Sequence, residues 1–183
     1  MLRVIAGEAR SIPLMTLDGL DTRPTTDRVK ETLFNLLQND IYDARFLDLF
    51  AGSGQIGIEA LSRGARSACF IEKNKKAAEI ITKNLEKTKL IDKSKLIKKD
   101  VLSALSVLSD TYDIIFTDPP YALNIESEVL SKIKENHLLD KDGFVIIEAD
   151  MKRDFSFVEE NGFEITKIKQ YKTNQHIFLR EVE

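Results

Sequence analysis

The sequence has few of the residues on which metal sites and disulfides depend. Its 183 residues include one cysteine and two histidines, so an internal disulfide is impossible and a metal site built on these ligands is not expected. Cys69 lies in the apolar run 67–71, where a buried and inert thiol is the expected state. We therefore predict no metal cofactor and no thiol chemistry.

Long apolar runs are absent as well. No stretch approaches the roughly 20 residues that cross a bilayer, and residues 1–10 lack the apolar core of a signal peptide. Only 8 glycines and 4 prolines accompany a hydrophobic content of 43%, which argues against a fibrous or disordered chain. We predict a soluble, cytoplasmic α/β protein that does not contact membranes.

The charge is distributed unevenly along the chain. The formal net charge is -3, yet residues 63–99 hold 12 Lys/Arg and 4 Asp/Glu. A basic segment of this kind is suited to contact with nucleic acid. Its lysines also fit the solvent face of a helix whose other side is apolar, and for most of them we favour this interpretation.

From residue 46 onward, the spacing of apolar residues alternates between strand and helix periods. Strands are predicted at 46–50, 68–71, 95–99, 112–117 and 144–148. Helices are predicted at 56–61, 75–87, 101–108 and 126–139. This alternation predicts a parallel sheet with helices on both faces. Residues 163–171 and 176–180 are separated by a hairpin-like spacing, so an antiparallel pair is expected to close the sheet.

The first 40 residues lie outside this alternation. Residues 2–6 and 11–14 flank a turn-like stretch and suggest a small hairpin. Thr25 or Thr26 is suited to cap a following amphipathic helix. We predict that residues 1–40 form an extension packed on a catalytic domain that spans residues 41–183.

A glycine-rich loop follows the first predicted strand. The stretch FLDLFAGSGQIGI, residues 46–58, contains G-x-G-x-x-G between a strand and a helix. This motif alone would also suit NAD or FAD. Asp48 separates the two interpretations, because a carboxylate is a poor neighbour for pyrophosphate and a good one for the ammonium of an amino acid. S-adenosylmethionine carries that ammonium and a positive sulfonium, and it has no phosphate.

Further acids end the later strands, at the edge where ligands bind in open α/β sheets. Glu72 ends the second strand and is suited to hold both ribose hydroxyls. Asp100 ends the third strand and is suited to accept the adenine amino group, with the Val101 amide near the ring edge. Each acid also has an ordinary structural explanation, a helix cap for Asp100 and a surface position for Glu72. Together with Asp48 they favour one cationic nucleoside ligand.

The stretch Asp118-Pro119-Pro120-Tyr121 ends the fourth strand. An amino group on a base is a weak nucleophile, because its lone pair is delocalised into the ring. The Asp118 carboxylate and the Pro119 carbonyl would each accept one N–H and aim that lone pair at a methyl group. The prolines fix the direction of the carbonyl. Tyr121 would stack on a base swung out of its helix or loop.

The stretch RPTTDRVKETLFN, residues 23–35, together with the glycine loop and the DPPY turn, resembles the RsmD family of bacterial 16S rRNA guanine-N2 methyltransferases over essentially the whole chain. This resemblance implies a class I Rossmann-like fold, which is a doubly wound seven-stranded sheet with the last strand antiparallel. It also implies S-adenosylmethionine as donor and S-adenosylhomocysteine as product. The substrate would be one guanine in 16S rRNA, in the small ribosomal subunit or its assembly intermediate.

Three groups of site residues follow from the resemblance. Those expected to bind the cofactor are Asp48, Phe50, Ala51, Gly52, Ser53, Gly54, Glu72, Asp100 and Val101. Those expected at the target base are Asp118, Pro119, Pro120 and Tyr121. Those expected to cover the cofactor or contact RNA are Arg23, Thr25, Thr26 and Arg28. One departure is that residues 10–13 read RSIP, where relatives commonly carry a basic R-G-R-K run.

Four other functions remain open from the residues alone. A DNA or RNA adenine-N6 methyltransferase would use the same turn, although 183 residues leave no room for the usual target-recognition domain. A glutamine-N5 methyltransferase would usually begin this turn with Asn. An NAD-binding oxidoreductase leaves Asp48 and the DPPY turn unexplained. A non-catalytic binding module would not depend on Asp118. The chain is expected to act as a monomer.

Overall fold

The computed structural model describes residues 1–17 and 26–182, and of Tyr121 it describes the backbone alone. The strands are β1 Arg45–Asp48, β2 Ser67–Ile71, β3 Ser94–Ile97, β4 Tyr112–Thr117, β5 Leu139–Asp150, β6 Phe163–Gln170 and β7 Asn174–Glu181. The helices are α1 Asp27–Leu36, α2 Gln55–Ser62, α3 Lys75–Thr88, α4 Val101–Leu105, α5 Glu126–Glu135 and α6 Phe157–Glu160.

The strands form one seven-stranded sheet in the order β3-β2-β1-β4-β5-β7-β6. Strands β1 to β5 pair with one another in parallel. Strand β7 runs antiparallel both to β5 and to β6. The predicted α/β class, the seven-stranded sheet and its antiparallel closing strand are confirmed.

Two apolar clusters cover the two faces of the sheet. On one face, Phe46, Phe70 and Phe116 pack with buried residues of α1, α2 and α3. On the other face, Leu47 and Ile115 pack with α4 and α5. Full burial of one such side chain stabilises the fold by about 1.5–3 kcal/mol. The helices are therefore held to both faces of the sheet, as the strand and helix periods predict.

The structure corrects the ends of two helices and the start of one strand. Helix α4 ends at Leu105 rather than at residue 108. Helix α5 ends at Glu135 rather than at residue 139, because the backbone takes a positive φ of 51° at His137. Strand β5 then begins at Leu139, which pairs with Tyr112 of β4. Helix α6 was not predicted, since four residues are too few to show a helical period.

Helix α3 carries much of the basic segment. Its apolar side buries Ala77, Ile81 and Leu85, whereas lysines such as Lys76 and Lys83 are exposed. The helix begins at the cap residue Asn74, whose side chain accepts hydrogen bonds from two backbone amides. The prediction that these lysines form a solvent face is confirmed.

The N-terminal residues form a narrow hairpin with a single bridge between Arg3 and Pro13. The Val4 amide donates to the Ile12 carbonyl at 3.0 Å, and the Leu14 amide donates to the Leu2 carbonyl at 2.9 Å. The predicted hairpin is therefore present, although it is too short to contain regular strands.

A buried ion pair fixes this hairpin to the helices. The Glu59 carboxylate of α2 accepts from the backbone amides of Ile5 and Ala6, at 2.8 and 3.0 Å. The Lys30 ammonium of α1 lies 3.6 Å from Glu59 and donates to the Arg3 carbonyl at 2.6 Å. Burial lowers the pKa of Lys30, while the charge of Glu59 opposes this shift. Lys30 belongs to the stretch RPTTDRVKETLFN, so part of that motif has a structural role.

Among the helices of residues 1–17 and 26–182, none has the length and apolar character that a bilayer crossing requires.

Candidate active site

A cavity of about 500 Å³ opens at the carboxyl ends of the central strands. Predicted site residues that line it are Asp48, Phe50, Ala51, Gly52, Ser53, Glu72, Asp100, Val101, Asp118 and Pro120. The residues come from the ends of β1, β2 and β4, from the glycine loop, and from the loop and helix that follow β3. The fold thus brings most of the predicted cofactor and substrate residues together.

The glycine loop is shaped by backbone conformations that side chains disfavour. Gly52 and Gly54 have φ values of 56° and 81°, in the left-handed region where glycine is favoured. Gly54 is the N-cap of α2 and is not among the residues that line the cavity; an added Cβ there would be 3.2 Å from the Ile58 side chain. An added Cβ at Gly57 would be 2.3 Å from the Phe70 ring. Gly54 and Gly57 therefore set the turn and the packing of α2 on β2.

Asp48 is buried at the end of β1, with 1% of its surface exposed. Its Oδ2 accepts a hydrogen bond of 3.3 Å from the Gly57 amide. Burial raises the pKa of Asp48 to about 7, and the charge of Glu72 adds to this shift. A positive ligand would favour the ionised form of Asp48.

Glu72 ties the end of β2 to the glycine loop. Its Oε2 accepts from the Gly52 amide at 2.9 Å, and its Oε1 accepts from the Asn74 amide at 2.7 Å. A carboxylate oxygen has more than one lone pair, so both oxygens retain capacity for ligand hydroxyls. Glu72 therefore shapes the loop and borders the cavity at the same time.

Asp100 caps helix α4 and also lines the cavity. Its Oδ1 accepts from the Ser103 amide at 3.0 Å, and its hydrogen bonds to Ser103 lower the pKa of Asp100 below the usual range. Val101 follows as the first residue of α4 and is buried. The two interpretations of Asp100, as a helix cap and as a ligand-facing acid, are compatible in this structure.

Asp118 lies at the cavity directly after β4. Burial raises the pKa of Asp118 well above its usual value, and the charges of Glu148 and Asp48 add to the shift. Within the described residues, no group donates a hydrogen bond to this carboxyl. Asp118 is therefore left with its hydrogen-bonding capacity free for a ligand.

The two prolines after Asp118 occupy different environments. Pro119 is buried, whereas Pro120 is exposed and borders the cavity. The Pro120 carbonyl accepts from the Leu123 amide at 2.9 Å and so closes a short helical turn, Tyr121–Leu123. All peptide bonds here are trans. The prediction for the Tyr121 ring concerns a side chain outside the described part of the chain.

The four residues expected to cover the cofactor or contact RNA have separate outcomes. Arg23 and Thr25 lie outside the described residues. Thr26 caps α1, with its Oγ1 accepting from the Val29 amide at 3.3 Å. Arg28 is exposed on α1. Neither Thr26 nor Arg28 lines the cavity, so the role observed for Thr26 is that of a helix cap.

The N-terminal segment supplies part of the cavity wall, which sequence reasoning missed. Leu2, Thr16 and Leu17 line it opposite the strand ends. The buried Asn84 of α3 accepts from the Met15 amide at 2.8 Å and donates to the carbonyls of Met15 and Ser53. A polar residue on the apolar side of α3 was the available signal. Asn84 joins the N-terminal segment to the glycine loop.

Gln55 was also missed. It lines the cavity as the first residue of α2, and its Oε1 is buried without a hydrogen-bond partner among the described residues. Because an amide oxygen without a partner is costly when it is buried, this oxygen has capacity for a ligand donor. In the sequence, nothing distinguishes this glutamine from the other variable positions of the glycine motif.

The hydrogen-bonding groups of the cavity suit a cationic nucleoside. Acidic side chains line several parts of its wall, and Ala77, Val101 and Leu102 contribute apolar surface. In the part of the chain that the structure describes, no three His, Cys, Asp or Glu side chains are grouped to hold a metal ion. The fold and this site define a class I S-adenosylmethionine-dependent methyltransferase.

Comparison with known proteins identifies the family. The family described as "Conserved hypothetical protein 95" matches residues 2–180. YlbH from Bacillus subtilis is 39% identical over 152 residues, which are 81% of this chain and 83% of YlbH. Ribosomal RNA small subunit methyltransferase D from Haemophilus influenzae is 38% identical over 156 residues, with 81% and 79% covered.

A solved structure agrees with the sequence comparisons. The structure of yhhF from Escherichia coli has a TM-score of 0.88 at 33% identity, and the match covers 100% of this chain and 99% of that chain. The chain belongs to the ribosomal RNA small subunit methyltransferase D family. The resemblance based on RPTTDRVKETLFN, the glycine loop and the DPPY turn is thereby confirmed.

Proposed function

We propose that this protein transfers a methyl group from S-adenosylmethionine to the exocyclic N2 amine of one guanine in the 16S rRNA of the small ribosomal subunit. The observation that carries the proposal is the Asp118 carboxyl, which borders the cavity and has no hydrogen-bond donor among the described residues. Membership of the methyltransferase D family supports rRNA as the substrate. The choice of guanine N2 rests on the resemblance of residues 23–35 to guanine-N2 enzymes.

The cofactor would lie along the acids of the cavity. Asp48 would neutralise the ammonium of the methionine part, and Glu72 would accept from the ribose hydroxyls. Asp100 and the Val101 amide would contact the adenine ring. Gln55 would add a hydrogen-bonding amide near the start of α2. Bound in this way, the cofactor supplies a methyl group that leaves a positive sulfonium easily.

The protein's part in the reaction is positioning and proton acceptance. The Asp118 carboxylate would accept one N–H of the amine, and the Pro119 carbonyl would accept the other. These two bonds would direct the nitrogen lone pair at the methyl carbon. Asp118 would take the proton that the nitrogen loses as its new N–C bond forms. Tyr121 would hold the base by stacking.

The proposal is tested with labelled S-adenosylmethionine and 30S particles from cells that lack the enzyme. We expect label in guanosine of 16S rRNA, and we expect Asp118→Ala to abolish it. Asp142→Ala is the matched control. Asp142 is exposed and lies near the start of β5, whereas Asp118 lies beside the other end of that strand. The control should retain wild-type transfer.

Digestion of the product to nucleosides separates the remaining candidates. Label in N2-methylguanosine supports the proposal. Label in N6-methyladenosine would show an adenine enzyme instead, since the DPPY turn suits that amine equally well. Transfer that Asp118→Ala leaves undiminished would remove Asp118 from the reaction.

A further inference from the structure

A row of polar side chains extends across the sheet behind Asp118. Residue Thr117 of β4 pairs with Ile147 of β5, so Asp118 and Glu148 are the next neighbours along these parallel strands. Glu148 in turn pairs with His176 of β7. Glu148 is 6% exposed and His176 is fully buried. Polar groups at such depth are costly unless they are bonded, so their presence in a core calls for a physical reason.

Hydrogen bonds hold Glu148 on both of its oxygens. His176 Nε2 lies 2.9 Å from Glu148 Oε2, and the side-chain Nδ2 of Asn174 donates to Glu148 Oε1 at 2.6 Å. The Tyr171 hydroxyl lies 2.8 Å from His176 Nδ1. Because an ionised carboxylate only accepts, His176 Nε2 is the donor to Glu148, and Nδ1 on the other side of the ring pairs with the Tyr171 hydroxyl. Burial and the charge of Glu148 raise the pKa of Tyr171, so its hydroxyl keeps the proton.

Asp118 stands in contrast to Glu148. Glu148 has two donors, whereas Asp118 has none among the described residues. Two adjacent carboxyls away from bulk water resist simultaneous ionisation, and donors favour the charge on the group that they contact. The hydrogen-bonded Glu148 thus places a negative charge beside Asp118, and this charge raises the pKa of Asp118 in addition to the effect of burial.

We propose that Glu148, fixed by His176 and Tyr171, is a positioning residue that makes Asp118 a stronger acceptor for the proton of the target amine. The inference rests on the proposed role of Asp118 in methyl transfer. As the nitrogen lone pair forms the N–C bond, the electrons of the C–S bond leave with sulfur. The N–H bond breaks, its electrons remain on nitrogen, and Asp118 takes the proton. Release of this proton to solvent restores the enzyme.

The charged and titratable groups near Asp118 come from each neighbouring strand. Asp48 ends β1, Glu148 lies on β5 and His176 on β7. Tyr171 precedes β7, and Lys169 of β6 pairs with His176 across the strands. Of these, Glu148 makes the largest contribution of any charge to the raised pKa of Asp118, and Asp48 the next. Loss of the Glu148 charge is therefore expected to lower the pKa of Asp118.

The test is the pH dependence of single-turnover methyl transfer to the 30S particle. In the wild-type protein, the rate should fall on the acid side, where Asp118 is protonated before the reaction. Glu148→Gln should move this fall to lower pH by about one unit, because a neighbouring like charge no longer raises the pKa of Asp118. On the plateau above this fall the rate should be lower than in the wild type, because a less basic Asp118 accepts the proton less readily. Cofactor affinity should be unchanged, since Glu148 does not line the cavity.

Variants further along the chain of hydrogen bonds provide an independent measurement. His176→Phe removes the donor to Glu148 and should shift the fall in the same direction, while His176→Gln keeps a donor and should restore part of the wild-type profile. Tyr171→Phe should give a smaller shift of the same sign, and it keeps the experiment possible if Glu148→Gln does not fold. Tyr42→Phe is the matched control, because Tyr42 is 82% exposed.

The outcomes are distinguishable. No transfer by the wild-type protein would overturn the proposed function and this inference with it. If the wild type transfers methyl but its pH profile is unchanged in folded Glu148→Gln, this inference alone is overturned. If Glu148→Gln does not fold, an unchanged pH profile in Tyr171→Phe has the same meaning. A purely structural role would lower the rate and the melting temperature without moving the profile.

Discussion

Two carboxyls at the cavity, Asp48 and Asp118, have raised pKa values for related reasons. Asp48 is buried and Asp118 is half-buried, and each lies near another acid. The Gly57 amide donates to Asp48, whereas Asp118 has no donor in the described residues. A cationic ligand would relieve the cost of ionising both. The residues that suit the site for its cofactor therefore lower the stability of the ligand-free protein near neutral pH.

Cofactor affinity should depend on the ionisation of Asp48. Its pKa is about 7, so the affinity for S-adenosylmethionine should rise as the pH increases from about 6 to about 8. Asp48→Asn should weaken binding roughly tenfold to hundredfold, in keeping with about 1.5–3 kcal/mol for a hydrogen bond to a charged group, and should flatten the pH dependence. Calorimetric titration at several pH values measures both effects. If the affinity of Asp48→Asn for S-adenosylmethionine still depended steeply on pH, Asp48 would not be the group whose ionisation controls binding.

The same group gives a stability prediction with the opposite pH trend. Because the folded state raises the pKa of Asp48, it binds the proton more strongly than the unfolded chain does. The corresponding stability is fully present below about pH 4 and is lost as the pH rises toward 7. Without cofactor, Asp48→Asn should therefore melt at a higher temperature than the wild type at pH 8. Equal melting temperatures at pH 8 would show that burial does not disfavour this charge.

At the scale of elements, the contact of α2 with β2 depends on Gly57. The Cβ of an alanine here would meet the Phe70 ring at 2.3 Å. Gly57→Ala should cost about 1–3 kcal/mol of unfolding free energy, as is usual for an overpacked core. Denaturant unfolding gives the value. Gly52→Ala is a useful comparison, because nothing lies within 4 Å of its Cβ and only its φ of 56° opposes the change.

The N-terminal segment depends on the ion pair between α1 and α2. Lys30→Met should destabilise the protein by about 1–3 kcal/mol, because the Arg3 carbonyl loses its donor and Glu59 keeps only Arg63 as a positive partner among the described residues. The amides of Ile5 and Ala6, which donate to Glu59, should then exchange hydrogen faster. Lys93→Met is the matched control, since its pair with Glu8 is exposed and should contribute at most about 1 kcal/mol. Equal losses in the two variants would refute the role given to Lys30.

At the scale of the whole molecule, the cavity joins the N-terminal segment, the glycine loop and the end of β4. Cofactor at about 100 times its dissociation constant should add about 2.7 kcal/mol of stability. For a domain of this size, that corresponds to a rise in melting temperature of roughly 5 to 10 °C. Hydrogen exchange should slow in all three segments together. Slowing confined to the glycine loop would contradict a cavity shared with the N-terminal segment.

Much of this arrangement was predictable because it is local in the chain. Apolar spacing identified the strands from β1 to β5 and the helices between them, and the acids at the strand ends followed from strand order. The boundary of α5 was wrong because its end depends on a backbone reversal at His137 and on the pairing of Leu139. The contribution of Leu2, Thr16 and Asn84 was missed because it arises between segments that are distant in sequence.

The sequence by itself determined the class of fold, the glycine loop, the acids that surround the cavity and the family. These features are encoded in periodicity and in short motifs, which neighbouring residues specify. The tertiary structure alone decided that Glu148, His176 and Tyr171 lie behind Asp118, because strand β7 inserts between β5 and β6. It also decided which carboxyls are buried together, and their mutual charge and desolvation are what set their affinity for a proton.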